Sequence, residues 1–196
     1  MTGRSHLVLG VACVLTAMSA AWIAPSFEGL CAGALGSLVP DIDTERSMLG
    51  SRLKPVSRLL ARWCGHRTVT HSLFVPFALA VLIATELGQK ALAGPLGAFL
   101  IGYASHILGD LPTGGCWALY PLSRNRIAFW PYAKVGSFRE YLVLLGSLAL
   151  LCVLSYHNLC AQPGETAHRA KSVRFIAQER LRAYEQADHQ LPRSET

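Results

Sequence analysis

Residues 91–111, ALAGPLGAFLIGYASHILGDL, form an apolar run that carries His106 and Asp110 near its end. A run of this length predicts a helix that crosses a membrane. Ionisable side chains inside such a segment are costly, so they are functional-site candidates by default. His106 and Asp110 stand at positions i and i+4, and because a helical turn takes about 3.6 residues, both side chains would leave the same helix face. One metal ion could therefore bind both.

The composition is typical of a membrane protein. Of the 196 residues, 52% are hydrophobic and 15% are charged, whereas ordinary soluble domains have about 25% charged residues. The pattern predicts an all-α, polytopic membrane bundle of four or five hydrophobic segments. The apolar runs are residues 7–24, 29–39, 72–87, 91–111 and 141–159. We expect residues 1–160 to form one membrane-embedded domain and residues 161–196 a polar tail, amphipathic or partly disordered.

Two of the apolar runs leave alternatives open. Residues 7–24 follow Arg4, so a signal peptide cleaved near Ser19 is the alternative to a membrane helix. Residues 29–39 are too short to cross about 30 Å of hydrocarbon unless their neighbours extend them. Their glycines and alanines permit close packing against another helix, which predicts a position inside the bundle.

The basic residues gather in two loops, residues 44–70 and 112–140, beside the apolar runs. The net charge of +6 could suggest nucleic acid, but no recognised nucleic-acid motif is present, and we expect none to bind. The positive-inside rule puts both loops in the cytoplasm, while the side of the tail stays open. Residues 44–70 predict an amphipathic segment on the membrane or a soluble cap helix. The six cysteines predict neither a disulfide framework nor a zinc ribbon.

Two further polar motifs fall at the same predicted end of their membrane helices. Pro40-Asp-Ile-Asp supplies Asp41 and Asp43, and Gly65-His-Arg-Thr-Val-Thr-His-Ser supplies His66 and His71. Each motif alone has an ordinary interpretation as a capping, turn or hydrogen-bonded side chain. Three motifs at one membrane face instead favour a divalent metal, because imidazole and carboxylate ligands suit zinc, with manganese or iron as alternatives.

The same stretch supplies a cation and a predicted helix cap. Arg67 could hold a phosphate with its forked donors, or it could face lipid headgroups as a loop cation. Thr70 is predicted to cap the helix of residues 72–87, which would put His71 in its first turn. Counting His6, there are enough ligands for two ions bridged by a carboxylate, an arrangement that clamps the attacking and leaving oxygens in phosphoryl hydrolysis.

These motifs, with Leu49-Gly-Ser-Arg-Leu-Lys and Gly102-Tyr-Ala-Ser-His-Ile-Leu-Gly-Asp-Leu-Pro-Thr, resemble the YdjM-like, LexA-regulated inner-membrane metal-dependent hydrolases of bacteria. The likeness covers about residues 4–140. Its His and Asp pattern is similar to the zinc site of bacterial phospholipase C. The resemblance implies that His6 binds a second metal and that one metal is bound by Asp41, one histidine of the His66/His71 pair, His106 and Asp110.

The chain departs from this pattern in two places. The family often has Gly where Thr68 stands. No clear equivalent of the phospholipase's further His and Glu ligands follows Asp110, which argues against a site with three zinc ions.

The sequence thus predicts a membrane-bound metal-dependent hydrolase that cleaves a phosphoester, such as a phospholipid headgroup. A metal would lower the pKa of a bound water, and the hydroxide would attack with Asp43 or Asp41 as general base. Membrane lipids are the expected partners, since the site would lie at headgroup depth on the cytoplasmic face. The alternative is a noncatalytic membrane protein with a structural metal site or a scaffold role. A metal transporter is disfavoured because the ligands cluster at one face.

Overall fold

The fold is helical throughout the part of the chain that can be described. The computed structural model describes residues 1–64 and 68–161, with the backbone alone at residues 63 and 64. These ranges contain no strand apart from an isolated bridge between Cys116 and Ile127. The α-helices there are α1 (Gly3–Ser19), α2 (Phe27–Gly36), α3 (Lys54–Cys64), α4 (Phe74–Glu86), α5 (Pro95–Asp110) and α6 (Phe138–Ala161). The prediction of an all-α protein is confirmed for these residues.

The chain divides into two compact units, Met1–Tyr156 and His157–Thr196. Of the second unit the structure describes residues 157–161, which end α6. The predicted tail, residues 161–196, falls almost wholly outside the described residues.

Helices α1, α2 and α5 form the centre of the first unit, and glycines bring them together. A Cβ atom on Gly102 would lie 2.0 Å from the carbonyl oxygen of Gly33, and one on Gly36 would lie 2.1 Å from that of Phe99. The α2 and α5 backbones therefore touch, which only a hydrogen side chain allows. Val14 and Ala98 are fully buried beside this contact.

Two helix beginnings have side-chain caps. The Thr2 hydroxyl accepts a hydrogen bond from the Ser5 amide at the start of α1, and Ser26 accepts one from the Gly29 amide at the start of α2. Each cap satisfies one of the amide groups that a first helical turn leaves without a partner.

The expected cap at Thr70 is wrong. Helix α4 begins at Phe74 with Leu73 at its N-cap position, and the Phe74 amide donates to the Ser72 hydroxyl at 3.2 Å. His71 lies in the turn before the helix, and the Thr70 hydroxyl donates to Asp43. Helix α5 is also shorter than residues 91–111, since Gln89–Ala93 forms a 3₁₀ helix and Gly94 separates it from Pro95.

Within the described ranges, α6 is the helix that is long and apolar enough to cross a membrane. It has 24 residues, and at about 1.5 Å per residue it would extend for about 36 Å. Helices α1 and α4 are apolar but shorter, with 17 and 13 residues. Four or five spans are therefore not shown by helix length.

A buried glutamate joins the start of α6 to the start of α1. One oxygen of Glu140 accepts hydrogen bonds from the Thr2 amide and the Ser5 hydroxyl, both at 2.7 Å. The other oxygen accepts from the Gly136 amide at 2.6 Å. The carboxylate thus satisfies three donors from two chain segments, the start of α1 and the loop before α6, and we call this set the Glu140 clamp.

Replacing Glu140 by alanine is expected to destabilise the protein. The change leaves the three donors of the clamp without their acceptor, at a cost of about 1–3 kcal/mol for each donor that stays buried. Thermal unfolding in detergent micelles, followed by circular dichroism, measures the loss. Glu86→Ala is the control because Glu86 lies exposed at the end of α4, so an equal loss in both variants would contradict the assigned role.

Candidate metal centre

Five ionisable side chains from four chain segments meet at one end of the first unit. Helices α1, α4 and α6 begin at this end, and α2 and α5 end there. The side chains are His6 from α1, Asp41 from the 3₁₀ helix Pro40–Asp43, His71 from the turn before α4, and His106 and Asp110 from α5. Except for Asp41, all are fully buried.

Two histidines and two aspartates face one another, with each histidine Nε2 near one oxygen of each aspartate. His71 Nε2 lies 3.5 Å from Asp41 Oδ1 and 3.6 Å from Asp110 Oδ2. His106 Nε2 lies 3.6 Å and 3.9 Å from the same two oxygens. Ligands about 2.0–2.2 Å from a zinc ion stand about 3.3–3.6 Å apart at the corners of a tetrahedron. The four nitrogen–oxygen separations lie within this spacing or up to about 0.3 Å above it, and we call this set the four-ligand group.

The orientation of His106 supports metal binding. Its Nδ1 atom lies 2.6 Å from the Ser37 carbonyl oxygen, which can only accept, so Nδ1 carries the proton. In a neutral ring the lone pair is then on Nε2, the atom that faces the two carboxylates. Nε2 has no hydrogen-bond partner, and its separations from those oxygens exceed hydrogen-bond length. A buried lone pair facing carboxylates is repulsive unless a cation lies between them.

His71 is positioned by hydrogen bonds on both sides of its turn. The Tyr103 hydroxyl on α5 donates to the Thr70 carbonyl oxygen at 2.7 Å. The Ser72 hydroxyl donates to the carbonyl of Tyr120, and the Leu73 amide donates to the carbonyl of Ala118 at 2.9 Å. The turn is thereby fixed to α5 and to the loop that follows it.

His6 forms a second group with two of the same residues. Its ring stacks on His106 with centroids 3.6 Å apart, and its Nε2 lies 3.2 Å from Asp110 Oδ1. Potential ligand atoms of His6, His106 and Asp110 all lie within 4.8 Å of one another, as do those of Asp41, His71 and His106. The Met1 amino nitrogen also contacts Asp110 Oδ1, at 2.5 Å. His6 Nδ1 has no hydrogen-bond partner.

Asp41 is the member of the centre whose side chain is exposed to solvent. Its side chain is 19% exposed, whereas those of His71, His106 and Asp110 are 0% exposed. Its carboxylate can therefore serve as an anionic ligand at the edge that solvent reaches.

Of the other predicted site residues, the structure describes Asp43 but not His66 or Arg67. Asp43 belongs to neither group of potential ligands, because its oxygens accept hydrogen bonds from the hydroxyls of Thr44 at 3.0 Å and Thr70 at 2.8 Å. It lies behind His71, with Oδ2 3.8 Å from Nδ1. His66 and Arg67 lie outside the described residues, so their predicted roles in metal and phosphate binding stay predictions.

Several residues that shape the centre carried no signal in the sequence. Ser37 acts through its backbone carbonyl, which no side-chain pattern marks. Tyr103 lies on an apolar helix face, and Glu140 stands alone at the start of the last apolar run. Only Thr70 had a detectable feature, a hydroxyl beside a motif histidine, and it suggested a helix cap.

The donor set fits a divalent ion. Two imidazole nitrogens and two carboxylate oxygens are the ligands that zinc selects, and manganese or iron would accept them too. The fold and the site therefore define an all-helical protein with buried His and Asp groups that could hold a metal ion. The chain belongs to the YdjM inner membrane protein family, whose model matches residues 1–165.

The relatives agree with this assignment. The chain is 34% identical over 157 residues to the uncharacterised protein YvsG of Bacillus subtilis, covering 80% of this chain and 95% of YvsG. It is 37% identical over 129 residues to the inner membrane protein YdjM of Escherichia coli, covering 62% of this chain and 66% of that protein. No solved structure matches the chain. The family resemblance is confirmed, whereas the likeness to zinc phospholipase C is not and stays a prediction.

Proposed function

We propose that this protein is a membrane-embedded, metal-dependent hydrolase that cleaves a phosphoester, with phospholipids as its substrate class. The observation that carries the proposal is the four-ligand group, in which Asp41 is partly exposed and the other members are buried. Structural metal sites are usually closed, whereas catalytic sites keep a position open for water or substrate. The exposed edge at Asp41 is where a substrate would enter.

Asp41, His71, His106 and Asp110 would hold the ion. A divalent metal bound there would polarise a phosphoryl oxygen and lower the pKa of a water molecule. Asp41 is the one acid of the group that solvent reaches, so its second carboxylate oxygen, the one that does not bind the ion, would accept the proton of the water that attacks phosphorus. The leaving oxygen would take up a proton as its ester bond breaks. His6 would support a second ion with His106 and Asp110.

The surroundings of the site support a lipid substrate. The loop between α5 and α6, at the same end as the metal centre, exposes Phe129, Trp130 and Tyr132. Aromatic side chains of this kind are enriched where a membrane meets water. The basic residues of both loops favour the cytoplasmic face, with α1, α2, α4, α5 and α6 as the hydrophobic segments of a multi-pass protein. Phosphodiesters of lipids would then meet the site without leaving the bilayer.

Chelation is expected to abolish turnover. Purified protein in mixed micelles is supplied with a phospholipid, and release of the phosphorylated headgroup is measured before and after treatment with a chelator. Turnover should fall to background and return when zinc, manganese or iron is restored, because the ion supplies the Lewis acid and the activated water. Turnover that chelation leaves unchanged would contradict the metal mechanism.

A noncatalytic role is the second candidate, and the burial of three ligands supports it. A four-ligand site can complete the tetrahedral preference of zinc and so hold the 3₁₀ helix Pro40–Asp43, α5 and the turn before α4 together. In that case chelation would lower the melting temperature strongly, and no phospholipid would be hydrolysed at any metal concentration. Melting curves and turnover measured on the same sample separate the two roles.

A further inference from the structure

We infer that Thr70 is a positioning residue that sets which nitrogen of His71 faces the metal. The inference rests on the proposed metal centre and adds to it a function for a residue that is not itself a ligand. Its basis is the juxtaposition of the Thr70 hydroxyl with His71 Nδ1, at 3.1 Å, and with Asp43 Oδ2, at 2.8 Å.

The direction of these hydrogen bonds follows from the number of protons. A threonine hydroxyl has one proton to donate, and an ionised carboxylate can only accept. The Thr70 proton is therefore directed to Asp43 Oδ2. Toward His71, the Thr70 hydroxyl oxygen can then only accept a hydrogen bond. Nδ1 of His71 must then carry a proton, and the lone pair of a neutral ring is left on Nε2. Nε2 is the atom that lies 3.5 Å from Asp41 Oδ1 in the four-ligand group.

Thr70 is needed because Asp43 lies too far from the ring to act directly. The separation between His71 Nδ1 and Asp43 Oδ2 is 3.8 Å, which is longer than a hydrogen bond. Metal-binding histidines are commonly oriented by a carboxylate that accepts from the second ring nitrogen. Here the Thr70 hydroxyl bonds both Asp43 and His71, so the carboxylate orients the His71 ring through Thr70.

The position of Thr70 is fixed from the other side by α5. The Tyr103 hydroxyl donates to the Thr70 carbonyl oxygen at 2.7 Å, and Tyr103 is buried in the core of the first unit. The hydroxyl of Thr70 is thus held between Asp43 and His71 by its own backbone. His106 reaches the same tautomer by a different route, through the Ser37 carbonyl.

Metal affinity of the full chain in detergent tests the inference, with cobalt(II) as the probe. Thr70→Val keeps the shape of the side chain and removes the hydroxyl, so we expect cobalt(II) to bind about 10–100-fold more weakly. Thr70→Ser retains the hydroxyl and should restore most of the affinity. The visible spectrum of the bound ion should also change in Thr70→Val and not in Thr70→Ser. Thr85→Val makes the same change at an exposed position of α4 and should bind like the wild type.

A second variant covers the case in which Thr70→Val does not fold. In Asp43→Asn, the amide can donate to the Thr70 oxygen, which turns the hydroxyl proton toward His71 Nδ1 and moves the ring proton to Nε2. Affinity should fall as much as in Thr70→Val. The double variant should bind no more weakly than either single variant, because both changes interrupt one chain of hydrogen bonds.

The outcomes separate this inference from the proposed metal centre. Wild-type protein that binds cobalt(II) while Thr70→Val binds it equally well would overturn the role of Thr70 and leave the centre standing. Additive losses in Asp43→Asn and Thr70→Val would also overturn it, since the two residues would then act independently. Wild-type protein that binds no divalent ion would overturn both proposals.

Discussion

Replacing His106 by alanine is expected to remove the bound metal. His106 belongs to both groups of potential ligands, the one with Asp41 and His71 and the one with His6 and Asp110. Its loss leaves two residues in each of these groups and removes one imidazole from the four-ligand group, so the metal content of the purified protein should fall from about one or two ions per chain to nearly none. Hydrolysis, if the proposed function is correct, should fall to background in the same sample.

Elemental analysis of purified protein measures this result. His157→Ala is the matched control, because His157 is an exposed histidine on α6. Alanine at position 106 also removes the hydrogen bond to the Ser37 carbonyl, so a melting curve must accompany the metal content. A folded His106→Ala variant with unchanged metal content would contradict the site.

Replacing Gly102 by alanine is expected to separate α2 from α5. The new Cβ would lie 2.0 Å from the Gly33 carbonyl oxygen and 3.0 Å from its Cα, and neither helix backbone can move away without breaking the buried contact. Overpacking of a core commonly costs about 1–3 kcal/mol. Because the new Cβ would collide with backbone atoms, we expect a destabilisation at the upper end of this range or more. This corresponds to a fall in melting temperature of about 6–12 °C.

Gly146→Ala is the control for this change. Gly146 lies on α6, and a Cβ there would meet nothing within 4 Å. Alanine in a helix interior is about 0.5–1 kcal/mol more favourable than glycine, so this variant should melt at the same temperature or higher. Equal melting temperatures for the two variants would show that close contact at Gly102 is unimportant. Metal affinity should fall only in Gly102→Ala, because the contact also sets the distance from Ser37 to His106.

The sequence supported the local part of the site well. His106 and Asp110 were expected on one face of a helix, and α5 carries both toward the same space. The small residues of α2 were expected to allow close helix packing, and Gly33 and Gly36 do contact α5. Both expectations depend on the spacing of residues along one helix, which the sequence states directly.

Expectations about residues between helices were less successful. Thr70 was expected to cap α4 and instead connects His71 with Asp43. Asp43 was expected as a ligand or a base; it lies outside both groups of potential ligands, and its role in catalysis stays a prediction. A turn residue can bond its own helix or a distant side chain at similar cost, and sequence spacing does not decide between them.

The amino-acid sequence by itself determined that the chain is helical and apolar, that costly His and Asp side chains fall at helix ends, and that a divalent metal would suit them. These properties follow from hydrophobicity, helical periodicity and ligand chemistry, all of which are local. The tertiary structure alone decided that His6 joins His106, that Asp41 is the exposed ligand, and that the Ser37 carbonyl and the Thr70 hydroxyl orient the two imidazole rings. Those contacts join residues far apart in the chain, and they exist because glycines let α2 and α5 touch while hydrogen bonds hold the turn of His71 against α5.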